Sequence, residues 1–138
     1  MKRLILVLLL CCAPRLFAST DPCASDQTNK LHAFATPTSA TTTSLIAVPA
    51  NPAQSIYVCA ATVQLFSTTT VDTAKLVTGT GTTCSSPADA TALYTNAAGT
   101  SAAVQLPGLK VPALSGLCIV TTVGSTPSIA VDVTFVLQ

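Results

Sequence analysis

Few side chains in this 138-residue sequence can do chemistry. There is one histidine, His32, and every carboxylate is an aspartate, at positions 21, 26, 72, 89 and 132. A general base needs a nucleophile and an orienting partner within reach. Nothing near His32 in sequence offers them, so a surface or half-buried strand histidine is the favoured reading. Asp72 and Asp132 both fall on strand-like stretches. A facing pair of carboxylates could hydrolyse a glycosidic bond, or bind calcium together with backbone carbonyls. No calcium-loop spacing surrounds either residue, and solvated strand-face aspartates, which also discourage edge pairing, explain them with less. Gly79-Thr80-Gly81-Thr82-Thr83 has the look of a phosphate loop but lacks the lysine and the following helix. It reads instead as a glycine-relaxed strand exit. Thr80-x-Thr82 could begin a threonine row for ice or a crystalline polysaccharide, yet no fixed repeat follows it.

The amino terminus sets the compartment. Lys2 and Arg3 precede a short apolar run, Leu4 to Cys12, and Phe17-Ala18 leads into Ser19. That is the pattern of a secretory signal peptide spanning residues 1–18, with cleavage after Ala18. The run is too short to cross a bilayer, which takes about 20 apolar residues. Leu10 before Cys11, and Cys11 before Cys12, disfavour lipidation, and Pro14 and Arg15 disfavour an uncleaved anchor.

Removal of residues 1–18 takes Lys2, Arg3 and Arg15 with it, leaving three lysines against five aspartates, a net charge of −2 in place of +1. No basic patch remains to neutralise a row of phosphates, which disfavours nucleic acid as a partner. There is no glutamate, and Thr, Ser, Asn and Gln must hydrate the surface. Cys11 and Cys12 also leave, so Cys23, Cys59, Cys84 and Cys118 remain. Four cysteines in a small exported domain read as two disulfides, with three connectivities open. With no two of them close in sequence and a single histidine, zinc-site spacing is absent. The expectation is a protein without cofactor or metal, with no membrane span after cleavage, located outside the cell or in the periplasm.

Residues 19–138 read as a single domain organised around Ser55–Cys84. Two strands there are expected to form a hairpin across Ser67–Thr70. In the first strand Tyr57, Cys59, Ala61, Val63 and Leu65 alternate on one face, which places Tyr57 toward the core. Val71–Thr78 is the second. Lys30–Ala35 and Thr41–Val48 are strands before it, the latter rich in β-branched residues. Cys84–Asp89 reads as loop, Ala90–Asn96 is undecided between helix and strand, and Thr100–Leu106 is a strand closed by Pro107-Gly108. Leu117–Val123 and Ser128–Leu137 form a second expected hairpin around Gly124–Pro127. Ile129, Val131, Val133, Phe135 and Leu137 alternate without a lapse. Seven or eight short strands without helical periodicity point to an all-β, antiparallel β-sandwich, jelly-roll or immunoglobulin-like, with two disulfides.

The stretches IYVC (Ile56–Cys59), GTGTTC (Gly79–Cys84) and LCI (Leu117–Ile119), with a closing β-strand, resemble a group of small bacterial and phage proteins of secreted or virion-surface type. That group shares an IYV strand, a GTG-x-x-C loop and a late LC strand. The resemblance implies a β-sandwich without a catalytic set. It also implies that Cys84 bonds Cys118, which pairs Cys23 with Cys59. The function expected is a secreted, non-enzymatic structural, adhesive or surface-associated module. Self-assembly by strand addition is one version, since the Ile129–Leu137 alternation is similar to that of fimbrial and spore-coat subunits. The alternative is a carbohydrate-binding module with a glycan partner. There is no tryptophan to stack on a sugar, and with Tyr57 inward, Tyr94 is the expected exposed platform.

Overall fold

The computed structural model describes residues 21–24, 29–66, 71–95, 101–106, 108–122 and 128–138. The expected signal peptide, its cleavage point and the turns expected at Ser67–Thr70 and Gly124–Pro127 lie outside these residues. Ten strands form among the described residues: β1 (Leu31–Ala35), β2 (Thr41–Ile46), β3 (Ile56–Phe66), β4 (Thr73–Thr80), β5 (Ser85–Asp89), β6 (Tyr94–Thr95), β7 (Ser101–Leu106), β8 (Leu109–Lys110), β9 (Gly116–Thr122) and β10 (Ser128–Leu137). They make two antiparallel sheets. Sheet A runs β1-β10-β3-β7, with β8 also on β3, and sheet B runs β2-β9-β4-β5, with β6 also on β4.

The strand count exceeds the seven or eight expected, for a simple reason. β7 pairs with the Ala61–Phe66 half of β3 and β8 with Tyr57 and Val58, so the two form one edge lane broken between them. β5 and β6 share the edge of β4 in the same way. Ten strands therefore occupy eight lanes. The first lane pairs with the last, the second with the seventh, the third with the sixth and the fourth with the fifth, as in one long folded ribbon. The added ladders β10–β3 and β9–β4 roll that ribbon into two layers. This is the jelly-roll order. An immunoglobulin-like sandwich would put its first two strands in one sheet, whereas β1 and β2 lie in opposite sheets.

Neither expected hairpin forms. β3 belongs to sheet A and β4 to sheet B, and β9 and β10 are likewise split. The reason lies in the apolar rows. Ala61, Val63 and Leu65 of β3 and Ala74 and Leu76 of β4 belong to one buried cluster. Two such rows cover each other when they face across a core, and a corner between the sheets achieves this where a hairpin would set them side by side. The tight hairpin is β4–β5, closed by residues 81–84 with Thr80 opposite Ser85. Ser85–Asp89, expected as loop, is thus a strand. It is exposed along its whole length and shows no apolar alternation. Its extended form comes from the ladder to β4 and from Lys75 Nζ bonding Asp89 Oδ1 at 2.6 Å.

The face assignment on β3 also changes. Phe135 pairs with Val58 and Thr134 with Ala60, leaving Cys59 as the extra residue of a β-bulge. A bulge shifts the side-chain phase by one. Ile56 and Val58 therefore point inward before it, and Ala61, Val63 and Leu65 after it, while Tyr57 and Cys59 do not join them in the core. On β10 no bulge intervenes between Ile129 and Val133, and of the expected inward set Ile129, Val131, Val133 and Phe135 are buried, whereas beyond the register shift at Thr134/Phe135 Val136 is buried and Leu137 is half-buried. The core is completed by Ile46, Ala74, Leu76, Val111, Leu117 and Ile119 from the rest of the chain. It is built almost wholly from aliphatic side chains, with Phe135 as the one aromatic residue among its buried members.

Candidate functional site

Two disulfides form, Cys23–Cys59 and Cys84–Cys118. Each lies against the outer face of a different sheet. On sheet B, Cys118 of β9 stands beside Val77 of β4, and Cys84 folds over both from the β4–β5 turn, sealing a small apolar cluster with Val120. Gly79 makes this possible. A Cβ there would lie 2.7 Å from the Cα and carbonyl carbon of Cys84, so any side chain would push the turn off the sheet. The Gly79–Thr83 stretch is thus occupied by its own turn, in keeping with a strand exit. Thr80 ends β4 and Thr82 sits in the turn, so this pair presents no flat row. Sheet B has a different short row, Thr95, Thr73 and Thr122 in register across three strands. The Thr73 and Thr122 hydroxyls bond each other rather than facing solvent unengaged.

Among the described residues no such cover lies over the outer face of sheet A around Phe34. Its register places Phe34 of β1, Asp132 of β10, Thr62 of β3 and Gln105 of β7 in one cross-strand row. The next row carries Ala130, Gln64 and Ala103. On the other side lie His32, Thr134 and Ala60. Alternation fixes why these residues share a face: their neighbours Ala33, Val131, Val133, Ala61 and Val63 take the inward positions. Phe34 is 68 % exposed, the most exposed of the large apolar side chains described. Phe34, Thr62, Gln64, Ala130 and Asp132 line a shallow groove of about 260 Å³. Ala130 forms its low floor between the Phe34 ring and Gln64. His32 Nδ1 lies 3.2 Å from Thr134 Oγ1 and 3.9 Å from Asp132 Oδ1, so one end of the groove carries a small polar cluster.

The remaining candidates fall elsewhere. Asp132 is solvated as expected, its side chain 63 % exposed. Asp72 is not: it precedes β4 and is fully buried. A carboxylate out of water must be engaged by polar partners, and Asp72 is so engaged. The two aspartates therefore share no face on which they could flank a substrate. Tyr57, expected inward, is half-buried on the other side of the bulged strand, with Lys110 Nζ 5.2 Å from its ring centroid. Tyr94, expected as the exposed platform, is half-buried and lines an apolar pocket of about 210 Å³ between the edge lanes, with Val58, Leu76 and Leu109. Among the described aromatic residues Phe34 is the most exposed, and Phe66 at the end of β3 follows at 45 %. The signal of Phe34 in the sequence was its place beside His32 in the alternation of Leu31–Ala35, on the side opposite the alanines. Among the described residues no group of three His, Cys or Asp side chains could hold a metal ion, and no helix is long and apolar enough to cross a membrane.

Comparison with protein-family models, curated proteins and solved structures finds no match.

Proposed function

We propose that the chain is an exported, non-catalytic jelly-roll module of structural or adhesive type, which holds its partner on the outer face of sheet A. The carrying observation is the exposed Phe34 ring beside Asp132, Thr62 and Gln64, on an otherwise flat sheet face. An aromatic body that stays in water has lost its burial free energy, and contact with a partner restores it. Support for the exported setting comes from the two disulfides, which persist in oxidising compartments, and from the signal-like residues 1–18. The motif resemblance to small secreted and virion-surface proteins supports the same reading. Binding of the purified domain to envelopes of the producing cell tests it. Phe34→Ala should remove most of that binding while leaving the fold intact, and retention of full binding would refute the assignment of the face.

Self-association by strand addition is a second reading, favoured by the edges. β5 carries Pro87 and Asp89 and β2 carries a bulge near Leu45, devices that discourage edge pairing. β1 has neither proline, lysine, aspartate nor bulge, and exposes Leu31 as well as Phe34. The closing strand β10 is paired on both sides, by β1 and β3, so the terminal strand offers no edge, and the receptive edges of sheet A are β1 and, on the far side, β7. Sedimentation over a wide concentration range tests this: Ala33→Pro on β1 should abolish association through β1, and a strictly monomeric parent would remove the reading.

A further inference from the structure

We infer that the groove on sheet A binds a single neutral pyranose ring of a glycan, stacked on Phe34 and hydrogen-bonded by Asp132, Gln64 and Thr62. This rests on the contact-face reading above and names its ligand class. The sheet lattice supplies the dimensions. Phe34 and Thr62 stand on β1 and β3 with β10 between them, so their strands are about 9–10 Å apart. Gln64 follows Thr62 on the same face, about 7 Å further along β3. Ala130 leaves the floor of this rectangle low, and the groove's volume of about 260 Å³ suits one ring rather than an extended ligand.

The chemistry of the walls selects the ring. A pyranose has an apolar face of C–H bonds and an equator of hydroxyls. The first matches the face of the Phe34 ring, whose π-cloud is electron-rich. The second matches a carboxylate that only accepts, an amide that both donates and accepts, and a hydroxyl that does either. Charge excludes the commoner alternatives. Of the three described lysines, Lys75 bonds Asp89, Lys110 lies over the Tyr57 ring and Lys30 precedes β1, and none of them lines the groove. Asp132 meanwhile places a negative charge in the groove itself, which repels phosphate, sulfate and uronate groups. Thr62 and Gln64 line the groove, and no hydrogen bond between them competes with a ligand among those described.

Amide chemical shifts of the full mature chain, titrated with methyl glucoside, methyl mannoside, methyl galactoside and N-acetylglucosamine, test the inference. Galacturonate and choline serve as the anionic and cationic arms. A single ring should bind with Kd on the order of millimolar. The expected result is a set of shifts confined to outward positions of β1, β10 and β3 for at least one neutral sugar. Phe34→Ala should weaken that binding roughly tenfold or more, and Asp132→Asn and Gln64→Ala by roughly three- to tenfold each. Phe34 and Asp132 are exposed, so thermal melts of these variants should match the parent. No neutral sugar shifting these amides, or choline or galacturonate shifting them more strongly, overturns the inference. If envelope binding is nonetheless lost in Phe34→Ala, the contact face stands and its ligand is not a sugar. If Phe34→Ala binds envelopes as the parent does, the contact face itself falls.

Discussion

On sheet B the outward residues Val77, Cys118 and Val120 are covered by Cys84 and by the turn that carries it. On sheet A the outward residues Phe34, Asp132, Thr62 and Gln64 are covered by nothing described. Both faces derive from the same alternating lattice and both carry a disulfide, yet one is closed by its own chain and the other is left to solvent. The difference comes from where each bridge sits. Cys118 lies in regular register opposite Val77, with a glycine at position 79 that lets the turn descend onto the sheet. Cys59 is the bulged residue of β3, so its bridge to Cys23 fastens the segment leading to β1 and leaves the flat part of the face beyond it uncovered. A bridge on a flat lattice seals, and a bridge on a bulge tethers.

The two bridges close loops of nearly equal length, with separations of 36 and 34 residues. The chain-entropy contribution is therefore about the same for each, about 4 kcal/mol. Burial should separate them. The double variant Cys84→Ala, Cys118→Ala leaves a gap in a sealed cluster on top of the entropy loss, and about 4–5 kcal/mol of stability should be lost in urea unfolding. Gly116→Ala comes next. Its Cβ would lie 2.6 Å from the Ile46 carbonyl oxygen, a backbone atom that cannot step aside without breaking the β2–β9 ladder, and about 3 kcal/mol should be lost. Cys23→Ala with Cys59→Ala should cost less, about 2–3 kcal/mol, because the released segment regains freedom in the native state as well. Equal losses for the two cysteine pairs would break the comparison of a sealing with a tethering bridge.

Smaller effects sharpen it from the other side. Lys75→Ala removes an ion pair whose side chains are 30 % and 63 % exposed, and thermal stability should change by under about 0.5 kcal/mol. Phe34→Ala should be equally mild for stability, within about 0.5 kcal/mol, since an exposed ring contributes little to the core. Its effect belongs to binding alone.

The closing strand was legible as a strand because Ile129, Val131, Val133 and Phe135 alternate with smaller or polar residues and meet apolar partners, although past the register shift at Thr134/Phe135 Val136 is buried and Leu137 only half-buried. β3 was legible as a strand but not in its facing, since a single extra residue at Cys59 inverts the phase and leaves no mark in residue type. Tyr57 was misplaced for that reason alone. The Ser85–Asp89 strand was illegible because every side chain in it is solvated, and its extension is imposed by β4. Sequence neighbours suggested hairpins at β3–β4 and β9–β10, whereas burial of two apolar rows against each other demands that each pair be split between layers. Asp132 could be placed by alternation. Asp72 could not, because burial of a lone aspartate depends on partners distant in sequence. The groove on sheet A draws on β1, β10 and β3, three strands whose adjacency is wholly non-local, and only its Phe34-beside-His32 edge shows in the linear chain.

The most direct test of the two-faced account is a face scan of envelope binding by the folded, disulfide-bonded protein. Phe34→Ala and Gln64→Ala probe sheet A, and Thr42→Ala and Lys75→Ala probe exposed or half-exposed positions of sheet B. The account expects binding to fall sharply for the first pair and to remain at the parental level for the second, with all four melting alike. Loss of binding on sheet B substitution, or no loss on sheet A substitution, would contradict it.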